Sequence, residues 1–427
     1  MMKKIFCSFT IFGIGLFIIT AMTGCEGRTG PEGKDASESA LEGFAPGIKC
    51  ATCHNPDLDT TYRVLAKEVQ YEASGHFDGG DFSHNSYDCA GCHTNEGFLE
   101  RYSRGFGNET FNLTAPSGPI CNQGYPNASP PGCFTCHSPH SRANFTVRDS
   151  SAVNIFTLIA GRTTQQWNSS NASNLCVKCH QPRMTSTFMW ASGTTPASWQ
   201  PDPSKTNTTD TAKIYTSRWN NHVSGEPTQT LLGTGGFEFT GYSNYQSSYH
   251  TTLINNKALG CEDCHMATVN SSNQNGGHTF WVRYLASGST SPSYNVNGCN
   301  VSGCHSSNPV VASATAPDAA HWGKRATIIA KIAELGKLMM DTTITQKWSL
   351  PQSGKAVPWV TVTTSTVIGD SSWAANASTT KPLVITPAFK AGALWNLQQV
   401  QYEKSHGMHN YKYVLALLQN SIDELKK

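Results

Sequence analysis

The sequence predicts a mainly α-helical and irregular fold with few short strands and long helices toward the C-terminus. Three observations predict it. One cysteine–histidine phrase recurs six times, aliphatic residues are sparse, and helix-period apolar positions run through the end of the chain. Of the 427 residues only 38% are apolar and 14% are charged. Side chains alone would therefore build a thin core.

Five copies of the phrase read Cys-x-x-Cys-His: Cys50/Cys53/His54, Cys89/Cys92/His93, Cys133/Cys136/His137, Cys176/Cys179/His180 and Cys261/Cys264/His265. The sixth, Cys299/Cys304/His305, has two further residues between its cysteines. Two thiols at this spacing add across the vinyl groups of one porphyrin, and the adjoining histidine ligates its iron from the proximal face. One such phrase arises by chance; five intact copies, using ten of the 15 cysteines, do not. The chain is expected to carry six covalently bound c-type haems. These supply the apolar area that the side chains lack, giving a haem-packed multihaem cytochrome.

Lys3 and Lys4, the apolar run Ile5 to Ile19 and the sequence Met22-Thr23-Gly24-Cys25 read as an export signal of residues 1–24. The run is too short for a membrane span. Cys25 is the expected lipidation site, which predicts an outer-membrane lipoprotein facing periplasm or cell surface. A plain signal with an incidental cysteine is the alternative. Residues 25–45 are a polar tether. Loss of Lys3 and Lys4 leaves 29 basic against 29 acidic residues, and haem propionates add negative charge. No basic stripe favours nucleic acid. Cys121 is left over as a thiol, a disulfide partner or an iron ligand.

Residues 46–310 are expected to form a hexahaem core and 311–427 a helical region with an insertion at about 342–386. Pro317-Asp318 starts one helix, with Ile328, Ile332, Leu335 and Met339 on one face. Tyr411, Leu415, Leu418, Ile422 and Leu425 mark a second helix, running to the C-terminus. The alternation Trp359-Val360-Thr361-Val362-Thr363 suits short strands. A phrase Tyr-x-x-Ser-x-His occurs at Tyr71/Ser74/His76 and again at Tyr245/Ser248/His250.

Function turns on the other face of each iron. A second histidine saturates the metal and makes it an electron carrier, whereas an open face binds substrate. Six of the 15 histidines are proximal, leaving nine for the distal positions. His76, His140, His222, His250, His278 and His409 are the expected distal ligands. His84 is the first reserve, and His321 and His406 are surplus. His140 is too near His137 in sequence to share its iron and suits a neighbouring one. Met184 and Met266 are rival ligands.

Several phrases are similar to those of exported bacterial multihaem cytochromes. They are Cys-Phe-Thr-Cys-His137-Ser-Pro-His140, Asn221-His222-x-Ser224, Leu232-Gly233-Thr234-Gly235-Gly236-Phe237-Glu238, Cys261-Glu-Asp-Cys264-His265-Met266 and Gly277-His278-Thr279-Phe280. Ala393-x-Trp395 followed by Ser405-His406-Gly407-Met408-His409-Asn410 resembles the end of cytochrome c nitrite reductase. The resemblance covers residues 45–305 and 388–427 and implies stacked haems with bis-histidine ligation. The lysine-ended motif that carries the catalytic haem of those reductases does not occur here.

The expectation is an electron carrier rather than an enzyme, serving anaerobic or extracellular respiration. Its partners would be other redox proteins or extracellular acceptors, with a lipid anchor to the membrane. The alternative is a multihaem reductase of a small nitrogen or sulfur oxyanion, with the irregular sixth motif as the place for an open iron. A third reading is a homo-oligomer or filament whose haems continue between protomers.

Overall fold

The computed structural model describes residues 51–103, 124–182, 190–191, 201–214, 226–311, 321–340 and 383–427, less short breaks at 79–80, 87–88, 139, 141–144, 156–158, 163–164, 170–171, 211, 270–274 and 386. The expected signal and tether, Cys25, Cys50, Cys121, Met184, His222 and the Trp359–Thr363 alternation lie outside them. In chain order the first helices are α1 (Ala51–His54), α2 (Val64–Glu72), α3 (Gly75–Asp78), α4 (Ala90–His93), α5 (Asn95–Ser103) and α6 (Cys133–Cys136). They are followed by α7 (Ser173–Val177), α8 (Pro227–Leu232), α9 (Tyr249–Asn255) and α10 (Cys261–His265). Three longer ones close the chain: α11 (Trp322–Met340), α12 (Ala391–Glu403) and α13 (Tyr411–Lys426).

Strands are short and antiparallel. β1 (Val153–Ile155) pairs with β2 (Gln165–Trp167), placing Val153 opposite Trp167. β3 (Trp190–Ala191), β4 (Ala212–Ile214) and β7 (Leu383–Ile385) form one small sheet, and β5 (Arg283–Tyr284) pairs with β6 (Ser293–Tyr294). The fold is mainly helical and irregular. Among the described residues no helix is long and apolar enough to cross a membrane.

The chain divides into two compact units. Unit 1 holds Met1–Tyr62 and Gly80–Thr146; unit 2 holds Arg63–Gly79 and Val147–Lys427. The division runs through the region expected to be one core, and the boundary expected at 310/311 lies inside unit 2. The reason is packing: Ile159, Phe237 and Phe239 share one buried cluster with residues of α11, α12 and α13.

In unit 1, α5 rests on α4. Gly97 makes that approach, since a Cβ there would lie 2.5 Å from the Ala90 backbone. Thr135 of α6 donates to Asn95 Oδ1 (2.7 Å), and Ser129 donates to Glu96 through both its backbone and hydroxyl.

Unit 2 is built on the three long helices. Ile328, Ile332, Leu335 and Met339 are all buried, as are Leu418, Ile422 and Leu425; Tyr411 and Leu415 pack against the same cluster half-buried. α12 packs against both α11 and α13 and is buried around nearly its whole circumference. Asn396 and Trp395 bond to the loop that follows α8. Asn396 Oδ1 accepts from Phe237 N–H (2.7 Å), its Nδ2 donates to Phe237 O (2.8 Å), and Trp395 Nε1 donates to Gly235 O (2.7 Å). A Cβ at Gly392 would lie 2.1 Å from the Phe237 ring. Phe237 is itself fully buried and has no room to retreat. Gly392→Ala is therefore expected to cost about 1–3 kcal/mol by overpacking, read as a lower denaturation midpoint with unchanged slope.

Candidate functional site

The second, third and fifth motifs each form about one helical turn, which sets two cysteines and a histidine at i, i+3 and i+4 on one face. His54, His93 and His265 end α1, α4 and α10, and His137 follows α6 directly. The residue before the second cysteine closes the turn in two motifs. Thr135 Oγ1 accepts from Gly132 N–H (2.9 Å), and Asp263 Oδ2 accepts from Gly260 N–H (2.6 Å).

Among the described motif cysteines, Cys179, Cys299 and Cys304 stand in turns outside the helices, and Cys89 directly precedes α4. α7 ends at Val177, so Cys179 lies just beyond it, its N–H reaching Cys176 O at 3.2 Å. His180 N–H still reaches Cys176 O (3.0 Å), which preserves the helical spacing of the fourth motif. His180 O in turn accepts from the Thr228 hydroxyl at the start of α8. Cys304 belongs to the longer sixth motif, where the two extra residues prevent a single helical turn. Gly303 takes a left-handed φ of 82°, Cys304 N–H reaches Val301 O (3.1 Å), and His305 N–H folds back to Cys299 O at 3.0 Å. Both thiols are half-buried, and none of the described motif cysteines is joined in a disulfide.

The Tyr-x-x-Ser-x-His phrase has a structural meaning. Ser74 and Ser248 immediately precede α3 and α9, so His76 and His250 stand at the second helical position. Ser74 Oγ accepts from Phe77 N–H (3.3 Å). Ser248 is fixed from elsewhere, donating its N–H to Asn410 Oδ1 (2.8 Å) and accepting from Lys412 N–H (3.1 Å).

Five of the motif histidines face a second histidine. Within unit 1, His54 and His140 have ring centroids 6.2 Å apart, and His93 and His84 5.2 Å. Within unit 2, His180 and His76 are 6.0 Å apart, His265 and His409 6.2 Å, and His305 and His250 6.2 Å. Imidazole nitrogens bind a metal at about 2.0–2.1 Å, and each ring centroid lies about 1 Å further out. Two rings trans across one ion therefore stand about 6 Å apart. Four of the pairs have this spacing, and the His84–His93 pair is tighter.

The hydrogen bonds of these rings fix which nitrogen could ligate. A carbonyl oxygen can only accept, so His250 Nδ1 donates to Met408 O (3.0 Å), His265 Nδ1 to Phe280 O (2.9 Å) and His137 Nδ1 to Thr146 O (3.3 Å). His409 Nδ1 meets the Glu403 carboxylate, and His305 Nδ1 lies 3.1 Å from His321 Nε2. The donations from His137, His250 and His265 to carbonyls and from His409 to the carboxylate each leave an Nε2 lone pair, the form in which a ligating histidine is usually held. His406 is the opposite case. Its Nδ1 accepts from the Arg325 guanidinium (3.1 Å), which places the ring proton on Nε2.

Burial pushes His76, His250 and His265 below the ordinary histidine value, keeping them neutral. Burial, helped by the Arg325 charge, lowers His406 to about 4. Burial alone would raise Glu403; His409 and Ser405 outweigh it and hold the carboxyl below its ordinary value.

The chain matches no protein family, no curated protein and no solved structure.

The last three motifs lie side by side in unit 2. The thiols of Cys176 and Cys261 share a hydrogen bond, which with burial holds Cys261 well above its ordinary value. Cys264 is pushed up to about 12, by burial first and then by Cys299, with Cys304 adding to it. In unit 1, Arg101 of α5 reaches Cys92 Sγ at 3.3 Å.

Of the expected distal histidines, His76, His140, His250 and His409 stand opposite motif histidines, as does the reserve His84. His278 has its ring 6.0 Å from Phe280, whose ring lies 4.8 Å from His76, and its N–H donates to Gln70 Oε1 (3.0 Å). Met266 caps the end of α10. Sequence reasoning missed Glu403 and the His321 contact to His305. The one available signal was the closeness of Glu403 to His409 across a short loop.

The donor set suits a macrocyclic metal better than a bare ion. Among the described residues no group of three or more His, Cys, Asp or Glu side chains could hold a metal ion. A pair of imidazoles completes an ion whose other donors are brought with it. Exposed Phe77, Phe82, Phe134, Tyr249 and Val301 lie within two residues of a paired histidine or between motif cysteines. They offer apolar surface where a porphyrin would seat.

Proposed function

We propose that the chain is an exported, lipid-anchored hexahaem c-type cytochrome of the multihaem class, conducting electrons through bis-histidine haems. The observation that carries this reading is the set of five histidine pairs, each joining a motif histidine to one outside the motifs. Haem supplies a reversible one-electron iron couple, whose potential the protein sets through axial ligands, hydrogen bonds and burial. The chain's own residues do the rest. Twelve motif cysteines would tether the groups; of the described ones, Cys179, Cys299 and Cys304 stand in turns, Cys89 just before α4 and the others within helices. The paired rings would hold the iron from both sides. The carbonyls of Met408, Phe280 and Thr146 lock the Nε2-ligating tautomer.

The side-by-side placement of motifs four, five and six supports close transfer within unit 2. The sixth motif, where the alternative reading would put an open iron, has His250 opposite His305. This favours the carrier over the oxyanion reductase. The partners of such a carrier are other redox proteins or an extracellular acceptor in respiration, and Cys25 is the proposed lipid attachment.

The protein purified from a host competent for haem attachment should contain six covalent haems per chain. They should be detected by alkaline pyridine spectra and intact mass, with low-spin signals in electron paramagnetic resonance. A chain without covalent haem would end this reading. A high-spin signal displaced by nitrite or sulfite would move it to the reductase.

A further inference from the structure

We propose that Glu403 is a positioning residue that lowers the reduction potential of the haem held between His265 and His409. The proposal rests on the hexahaem reading above and deepens it by assigning a difference between neighbouring sites. Glu403 ends α12 with its carboxylate fully shielded from solvent. Three donors converge on it: His409 Nδ1, the Ser405 hydroxyl (2.7 Å) and the Ser405 N–H (3.2 Å). Such donors favour the ionised carboxylate and fix its direction.

The loop between α12 and α13 is shaped for this contact. Lys404 (φ 64°) and His406 (φ 51°) both take left-handed conformations. Non-glycine residues adopt that region at a cost and keep it where the surroundings enforce it. The loop returns the chain within six residues, so that His409 faces back onto the carboxylate at the end of the preceding helix. Gly407 (φ 88°) sits within it, where a Cβ would press on Ile328.

A carboxylate on Nδ1–H makes the imidazole a stronger donor at Nε2. Stronger donation stabilises ferric over ferrous iron, and the potential falls. The contrasting site is the His250–His305 pair. There the Nδ1 partners are the neutral Met408 carbonyl and the His321 ring. The fifth-motif haem is therefore the lower of the two. The step concerned is the gain of one electron by ferric iron, supplied in the experiment by dithionite, with no bond made or broken.

The test is a spectroelectrochemical titration of the full holoprotein and two variants. Glu403→Gln retains size and an acceptor but removes the charge. One of the one-electron components should move upward by about 59 mV, roughly a tenfold loss of ferric preference. Ser405→Ala removes one competing donor, leaving the carboxylate more basic toward His409, and the same component should move downward. Six covalent haems with no component displaced in either variant would overturn the proposal while leaving the hexahaem reading intact. Absence of covalent haem from the unmodified protein would instead overturn the reading beneath it. Should Glu403→Gln fail to fold, the downward shift in Ser405→Ala decides, and its absence counts against the proposal.

Discussion

Replacing His250 by alanine is expected, on the proposed hexahaem reading, to convert one haem from low to high spin and to add one carbon monoxide site per chain in the reduced protein. His250 stands 6.2 Å from His305, centroid to centroid, and is held by Met408 O through Nδ1. Alanine removes the Nε2 donor from that face and supplies nothing in its place. The cost in stability is modest, about 1 kcal/mol for the lost hydrogen bond. The change should therefore be electronic rather than a collapse of the fold. His406→Ala is the matched control. That ring is bound to Arg325 through Nδ1, so its removal should leave every haem low-spin. The measurements are electron paramagnetic resonance of the oxidised protein and carbon monoxide difference spectra of the reduced one. An unchanged spectrum for His250→Ala would remove His250 from the ligand set and weaken the other pairs by the same logic.

The fold class was legible in the sequence, but not every helix was. Ile328, Ile332, Leu335 and Met339 keep one face, and a one-sided stripe is what periodicity detects. α12 has no such stripe. It is enclosed on all sides, and Asn396, Gln398 and Gln399 are buried within it. Asn396 and Gln399 are bonded to the loop around Thr234 and Phe237. Those polar residues read as surface until the partner loop is known. The recurring cysteine–histidine spacing was legible because it repeats along the chain. Spacing does not say whether a cysteine sits in a helix or a turn, as Cys179 and Cys304 show. The pairing of distal histidines was not legible, since nothing local links His76 to His180 or His409 to His265. The repeated Tyr-x-x-Ser-x-His phrase came nearest. It encodes a serine before a helical turn and a histidine inside it, a local device that says nothing about which iron is served. The division into two units was equally hidden. Residues 63–79 belong to unit 2 through Gln70 bonding His278 N–H and Trp281 Nε1 bonding Ala73 O (3.0 Å), contacts made over long sequence separations.

Asn410→Ala is expected to cost about 2–5 kcal/mol and, on the proposed reading, to disturb two haem signals at once. Asn410 is wholly buried and caps α13, its Oδ1 accepting from Tyr413 N–H (3.4 Å) as well as from Ser248 N–H (2.8 Å). Its Nδ2 donates to Thr251 Oγ1 (3.0 Å) and Ser247 Oγ (3.4 Å). Loss of a cap costs about 1–2 kcal/mol. Buried groups left unpaired, here Ser248 N–H and its neighbours, add about 1–3 kcal/mol. The geometry explains why the effect should reach two sites. Asn410 follows His409 directly, and Ser248 starts the helix that carries His250. One amide thus ties His409, the proposed distal ligand at the fifth motif, to His250, the one proposed at the sixth. Asn410→Asp keeps the acceptor for Tyr413 and Ser248 while losing the donors, so it should retain much of the stability and one sharp signal pattern. Chemical denaturation gives the first quantity and electron paramagnetic resonance line shapes the second. If Asn410→Ala lost under about 1 kcal/mol, less than the cap alone supplies, and left both signals sharp, the two distal histidines would have to be positioned independently.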